Sequence, residues 1–315
     1  MKRRLSLLIS IVLVMATLVA SPALAHDDDD ESGGGTYLAL GDSLAAGTQQ
    51  PIPFTDNGYT NLLFDELEDE YGFDGFVNLA CPGDDSNEMV VGDNGPNGGS
   101  LCYGTGNPLP PGGSSQLDAA VAYLTANPGE VKLITLTMGA NDILACDFTT
   151  PDGIPCFFAA LGQLGANLSV ILGTLRTAAP GVPIVGMNYY NANLGLWPVD
   201  PAFALSTQAL VLPFNGTIEA VYGAFGVPVA DVETAFDTFN TDGDIPKNFR
   251  SICKYTLMCE EQGETYVLSD YDPGKPGPQT DIHPTDKGYK KIAKTFTHLI
   301  EDLDLFPEGG DSDDD

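Results

Sequence analysis

Four residues, scattered along the chain, have types and positions that suit acyl-transfer chemistry. Ser43 directly follows the apolar run of "TYLALGD" and precedes "LAAG". That puts it at the carboxyl edge of a strand, with its amide at the start of a helix. A serine there can be a nucleophile if a base and an oxyanion site stand beside it. It can also be a plain helix N-cap. The base is limited by supply, since the chain has 3 His. His26 lies in an acidic stretch, His298 within the helix pattern "TFTHLIEDL", and His283 in "QTDIHPTDKGY". Pro284 stops any helix before it, and Thr285 can cap the next one. His283 therefore belongs to a loop, where catalytic groups concentrate, or is a turn histidine without a role. Asn141, in "LTMGANDIL", stands just past another strand end. Its side-chain NH2 can donate to a developing oxyanion, or the residue simply makes an Asx turn. Gly83, in "VNLACPGDD", follows a further strand end. A glycine there lets the backbone approach a ligand closely, unless it is an ordinary turn glycine.

The elements that must position these residues are legible from hydrophobic pattern. Five short runs rich in β-formers recur: "TYLALG", "FVNLAC", "VKLITLTMG", "PIVGMNYY" and "VPVADV". They are continuous rather than alternating, as for strands buried on both faces. Helical patterns lie between them, in "YTNLLFDELEDEYG", "SSQLDAAVAYLTANPG", "FFAALGQLGANLSVILGTLRTAAPG", "AFALSTQALVLPFNGTIEAVYGAFG" and "TDKGYKKIAKTFTHLIEDL". Pro213 inside the fourth predicts a kink or a break. Strand–helix alternation makes a parallel sheet with right-handed crossovers. Ligands in such sheets bind beyond the carboxyl ends of the strands. Two stretches stand outside the alternation: "GDNGPNGGSLCYGTGNPLPPGG", rich in Gly and Pro, and the irregular "DTFNTDGDIPKNFRSICKYTLMCEEQGETY". Both are candidates to wall a substrate cleft. No internal repeat is present.

Bulk properties narrow the function classes. Lys2, Arg3 and Arg4, the apolar run Leu5 to Ala20 and the "SPALA" break read as a signal peptide over residues 1–25. No later stretch reads as long and apolar enough to span a bilayer. Export is the expectation, to the outside or to a periplasm. The net charge is -31. Residues 26–35 and 307–315 read as acidic, disordered tails around a single domain at 36–306. Nucleic-acid binding is excluded by the shortage of Lys and Arg. The acidity fits either adaptation to salt or ordinary solubility. Six Cys in an exported chain imply three disulfides. Pairing of sequence neighbours would give Cys81–Cys102, Cys146–Cys156 and Cys253–Cys259, one of 15 connectivities. Metal binding is disfavoured, because no Cys pair has C-x-x-C spacing.

Taken together, the order of the four stations is more specific than any of them alone. Ser follows the first strand, Gly the second and Asn the third, and His precedes the last helix. In Gly41-Asp42-Ser43-Leu44 with Gly47, Gly83, Gly139-x-Asn141-Asp142 and Asp281-Ile282-His283-Pro284, the chain resembles the GDSL, or SGNH, hydrolase superfamily. "SQLDAAVAYL", "LITLTMGANDIL.C" and "IC..T..C" further resemble its secreted, disulfide-bonded esterases and lipases. The resemblance implies a three-layer α/β/α, flavodoxin-like fold with a five-stranded parallel sheet. It implies Ser43 as nucleophile, His283 as base, and an oxyanion hole of Ser43, Gly83 and Asn141. Family members commonly place Asp three residues before the His. Here that position is Thr280, so either Asp281 or a backbone carbonyl near Thr280 must orient His283.

The implied reaction is hydrolysis of small-molecule or lipid acyl esters, without metal or organic cofactor, by a monomer in at most transient contact with a lipid surface. A polysaccharide O-deacetylase of the same superfamily is the enzymatic alternative. A non-catalytic secreted binding module is the other. "FNTDGD" has a fragment of a calcium loop but lacks its first-position acid and its twelfth-position Glu. "NYYNANLGLW" offers Tyr189, Tyr190, Leu194, Leu196 and Trp197 either to an acyl chain or to the core.

Overall fold

The computed structural model describes residues 34–92, 100–103, 114–262, 265–269 and 280–306. The leader, the acidic tails except residues 34 and 35, and most of the Gly/Pro-rich stretch lie outside the described residues.

All five apolar runs supply strands of one sheet: β1 (Thr36–Gly41), β2 (Gly75–Asn78), β3 (Val131–Thr137), β4 (Ile184–Met187) and β5 (Val229–Ala230). The order is β2-β1-β3-β4-β5 and every pairing is parallel. Every residue of β1 is buried, which explains its unbroken apolar character. From β1 the chain turns to β2 on one side and then crosses to β3 on the other. The crevice beyond the carboxyl ends of β1 and β3 is thus the topological switch point, where open α/β sheets bind ligands.

Ten α-helices are formed by the described residues: α1 (Ser43–Ala46), α2 (Tyr59–Tyr71), α3 (Ser86–Val91), α4 (Gln116–Ala126), α5 (Ala140–Leu144), α6 (Gly153–Ala178), α7 (Pro201–Ala224), α8 (Val232–Ala235), α9 (Lys247–Tyr255) and α10 (Asp286–Asp302). α2 and α10 pack together on one face, where the rings of Tyr59 and Phe296 stack 5.0 Å apart. α3, α4, α6 and α7 pack together and cover the other face. Buried hydroxyls tie the layers to the sheet. Tyr59 Oη meets Thr137 Oγ1 of β3 at 2.6 Å, and Tyr222 Oη donates to the Leu136 carbonyl at 3.2 Å.

Three sequence expectations need correction. Of the kink or break expected at Pro213, the break does not occur, because α7 runs on through that position. The carbonyl that loses its helical donor there belongs to Ala209, which is exposed and open to water. The stretch from Asp237 to Tyr266 is less irregular than its composition suggests. It contains α9 and an antiparallel hairpin of β6 (Cys259–Gln262) and β7 (Thr265–Leu268). α9 is short, but it buries Phe249, Ile252 and Cys253 on one side. Finally, α6 is long and apolar enough, by length and composition, to cross a membrane. Phe157, Leu161, Leu164, Leu168, Ile171 and Leu175 nevertheless form a stripe that is buried in the core.

Candidate active site

The nucleophile candidate is held by its neighbours on both sides. Gly41 ends β1 at φ 144°, and a Cβ there would meet the Thr137 carbonyl oxygen at 2.2 Å. Only glycine permits this approach of β1 to β3. The buried Gln116 side chain then brackets the Gly41 peptide. Its Oε1 accepts from the Gly41 amide at 2.7 Å and its Nε2 donates to the Gly41 carbonyl at 2.9 Å. Asp42 caps α1, accepting from the Leu44 amide at 2.9 Å. The capping role that the sequence left open for Ser43 therefore falls to Asp42, and Ser43 keeps its hydroxyl for other use. Burial lifts the Asp42 carboxyl to about 6, while hydrogen bonds from Leu44 and Tyr189 and the nearby His283 pull it back. The Tyr189 hydroxyl donates to the second Asp42 oxygen at 2.8 Å.

His283 comes from the loop before α10, where Thr285 caps the helix through the Gly288 amide. The loop is fixed at both ends of the histidine. Tyr190 Oη donates to the Ile282 carbonyl at 2.7 Å. The Leu257 amide donates to the His283 carbonyl at 2.8 Å, and the Thr285 amide to the Tyr255 carbonyl at 2.9 Å. The segment of α9 and the hairpin thus fastens the histidine loop from behind. Among the described residues it supplies none of those that line the Ser43 cleft, so its expected place as a cleft wall is not what they show.

Asp281 lies behind the ring. Its Oδ1 stands 2.5 Å from His283 Nδ1 and also accepts from the His283 amide at 3.0 Å. Its Oδ2 accepts from the Gln50 amide at 3.0 Å. Burial pushes this carboxyl up, but the hydrogen bonds from the His283 ring and amide and from Gln50 outweigh it, and it lies below the ordinary carboxylate range. A carboxylate on Nδ1 fixes the tautomer that carries the proton there and leaves Nε2 as acceptor.

Ser43, Asn141 and His283 all line one cleft of about 470 Å³. Among the described residues no hydrogen bond joins Ser43 to His283, whose ring is engaged by Asp281. The walls are mainly apolar, with Ile143, Leu144, Phe157, Leu210, Val211 and Phe214 prominent among them. Asn141 is the second residue of α5, and its Nδ2 donates to the Asp84 carbonyl at 2.9 Å. That bond orients the amide and leaves its second N–H free to face a ligand. Gly83 lines an adjoining recess of about 370 Å³ that shares Asn141 and Leu144 with the cleft. Its φ is 90°, a conformation suited to glycine. Asp84, Asp85 and Glu88 make that recess acidic.

The aromatic stretch after β4 divides in use. Tyr189 and Tyr190 line the cleft and brace Asp42 and the His283 loop, whereas Leu194 is buried in the core. Leu196 and Trp197 contribute nothing to the cleft wall. Sequence reasoning missed Gln116, Asp42 and the two tyrosines as supports. Their partners lie up to 147 positions away, as for Tyr189 and Asp42, and no local pattern marks them. His298 lies exposed on α10, and His26 lies outside the described residues.

Disulfides join Cys81 to Cys102, Cys146 to Cys156 and Cys253 to Cys259. The first anchors the segment just before Gly83, and the third ties α9 to β6.

Solved structures with the same fold include phospholipase A1 from Streptomyces albidoflavus NA297, 16% identical over 84% of this chain and 99% of that one, with a TM-score of 0.52. The extracellular lipase from Streptomyces rimosus is 15% identical over 84% of this chain and 99% of that one, with a TM-score of 0.53. A putative GDSL-like lipase from Parabacteroides merdae ATCC 43184 is 12% identical over 86% of this chain and 96% of that one, with a TM-score of 0.52. At such identities the likeness speaks for the fold alone. Comparison with curated proteins gives no match. The model of the GDSL-like Lipase/Acylhydrolase family matches residues 39–291, and the chain therefore belongs to that family of ester-acting hydrolytic enzymes.

Proposed function

We propose that the mature chain is an exported serine esterase or lipase that cleaves carboxylic acyl esters through an acyl-enzyme on Ser43. The observation that carries this reading is the convergence of Ser43, Asn141 and an Asp281-bound His283 on one mainly apolar cleft. Three disulfides and the leader-like segment at 1–25 support export. The similar folds are those of proteins described as a phospholipase A1 and lipases, which favours acyl esters as the substrate class.

In the reaction, His283 Nε2 takes the Ser43 proton as Oγ bonds to the ester carbonyl carbon. The carbonyl oxygen becomes an oxyanion, which the Asn141 amide and the backbone N–H groups of Ser43 and Gly83 stabilise. Collapse breaks the bond to the alcohol oxygen, which leaves with the proton from His283. Water then gives a proton to the same base and attacks the acyl carbon. The carboxylic acid departs and Ser43 regains its proton. Asp281 holds the imidazole and stabilises its cationic form without itself taking the proton.

The test is hydrolysis of p-nitrophenyl esters from acetyl to palmitoyl by purified mature protein, with Ser43→Ala as control. Serine-dependent turnover of several chain lengths supports the reading, and the profile separates esterase from lipase. Activity confined to acetate points instead to an O-deacetylase. Undiminished turnover by Ser43→Ala defeats the nucleophile assignment.

A further inference from the structure

Charge is distributed very unevenly in this protein. The chain is 18% charged, yet between residues 153 and 218 the only charged side chains are Arg176 and Asp200. Both are committed locally. Arg176 donates to the carbonyls of Val182, Phe225 and Gly226, and Asp200 caps α7 through the Phe203 amide. This nearly uncharged segment includes α6 and the first five turns of α7, and residues from both helices line the cleft. Their outward faces are apolar as well. Leu205 and Leu212 of α7 are 39% and 60% exposed, and Phe158 of α6 is 56% exposed. Leu205 and Leu212 are seven residues apart, hence on one side of the helix, with Ala209 between them on the same stripe.

Ala209 of this stripe also lines the cleft. Leu144, Ile154 and Phe203 each line the cleft and are each exposed. Exposed apolar side chains gathered around a cleft mark an interaction site more often than single ones scattered over a surface. Two features choose the occupant. A protein partner or a second copy seated on Leu144, Ile154 and Phe203 would seal the cleft against its own substrate. A surface that itself holds the ester would not. The net charge of -31 opposes approach to any anionic surface. The bare apolar face removes that penalty only toward a neutral or zwitterionic one.

We propose that the exposed faces of α6 and α7 dock the enzyme, cleft mouth down, on a neutral or zwitterionic lipid surface. The proposal rests on the acyl-ester reading of the Ser43 site and names where its substrate is met. Side chains of the stripe would enter the headgroup–acyl boundary, as an interfacial helix does, and the acidic remainder of the molecule would stay in water.

The experiment is flotation of the mature Ser43→Ala protein, which cannot consume its support, with phosphatidylcholine vesicles and with vesicles in which phosphatidylglycerol replaces part of the phosphatidylcholine. The expected result is binding to phosphatidylcholine that weakens as phosphatidylglycerol increases at low salt. Leu205→Gln with Leu212→Gln keeps helix propensity and should lower partitioning about tenfold. In protein with Ser43 intact, the same pair should leave turnover of monomeric p-nitrophenyl acetate unchanged, since neither leucine lines the cleft. Absence of binding to phosphatidylcholine, or full binding by the double variant, overturns the proposal. A dimer in solution that the double variant dissociates would give the face to a second copy and overturn it too. Esterase activity without vesicle binding would defeat the docking surface and leave the reaction standing. Vesicle binding by a protein that hydrolyses no ester would do the reverse.

Discussion

His283 Nδ1 stands 2.5 Å from Asp281 Oδ1, although Asp281 is only two residues away in sequence. The contact is possible because the loop turns back on itself, with the same oxygen accepting from the His283 amide. The neighbouring carbonyls of Ile282 and His283 are engaged by Tyr190 and Leu257. Asp281→Asn should therefore lower kcat by roughly 10²–10⁴-fold, as loss of the carboxylate behind a catalytic histidine does elsewhere, with little change in KM. Steady-state kinetics on a short-chain ester measure this. A kcat within a few-fold of wild type would hand the orienting role to a backbone carbonyl.

Asn141 is the one side chain among the proposed oxyanion donors, so it can be removed without disturbing the backbone. Its bond to the Asp84 carbonyl fixes the amide before substrate arrives. Asn141→Ala should cost ~2.7–4 kcal/mol of transition-state stabilisation, seen as a fall in kcat rather than a rise in KM. Equal loss from both parameters would mean that Asn141 binds the ground state as well.

Much of this site was legible in the sequence, for reasons that differ by residue. Ser43 and Asn141 are marked by position, because each lies just past the end of a run that reads as a buried strand. His283 is marked by Pro284 and Thr285, which set a loop against a helix start. The five strands and the long helices follow from hydrophobic period. What stayed hidden depends on contacts between distant segments. Nothing local to "SSQLDAAVAYL" says that Gln116 brackets the Gly41 peptide. Nothing in "NYYNANLGLW" says that two tyrosine hydroxyls, rather than their rings, secure Asp42 and the His283 loop. α9 and the hairpin were hidden by shortness, since nine and four residues leave little pattern to read.

Gln116 gives a test of support at a distance. It is 0% exposed, and its amide satisfies both the donor and the acceptor of Gly41, two residues before Ser43. Gln116→Leu keeps volume but orphans the Gly41 amide. The Gly41 carbonyl still accepts from the Cys81 amide at 2.9 Å. Asp84 Oδ2 also loses the Gln116 Nε2 donor at 3.4 Å; each unsatisfied buried group costs about 1–3 kcal/mol, so the melting temperature should drop. The Ser43 turn, no longer clamped, should also lose kcat. Gln116→Glu retains an acceptor for the Gly41 amide and should recover part of both. A variant with normal stability and normal kcat would show that the strand end is held by the sheet alone.

Three buried carboxyls set an unusual pH dependence of stability. Burial raises Asp84 and Asp142 to about 7 and Asp42 to about 6, well above the ordinary 3.8. Asp84 Oδ1 has no partner among the described residues, while Asp142 accepts from the Ser86 hydroxyl and amide. A carboxyl whose folded value is raised binds its proton more tightly in the native state than in the unfolded one. Its stabilising effect is complete below the ordinary range and is lost as pH rises through 6 to 7. The melting temperature should therefore fall between pH 5 and pH 8. General repulsion among the surface acids acts in the same direction, so wild type alone does not isolate the buried groups. Asp84→Asn does, because it removes one raised carboxyl and leaves the surface untouched. Its stability should decline less over that range, by on the order of 2–4 kcal/mol given ~1.4 kcal/mol per pKa unit. Thermal unfolding of both proteins at pH 5 and pH 8 decides the matter. Parallel declines would mean that Asp84 is ionised in the folded protein throughout.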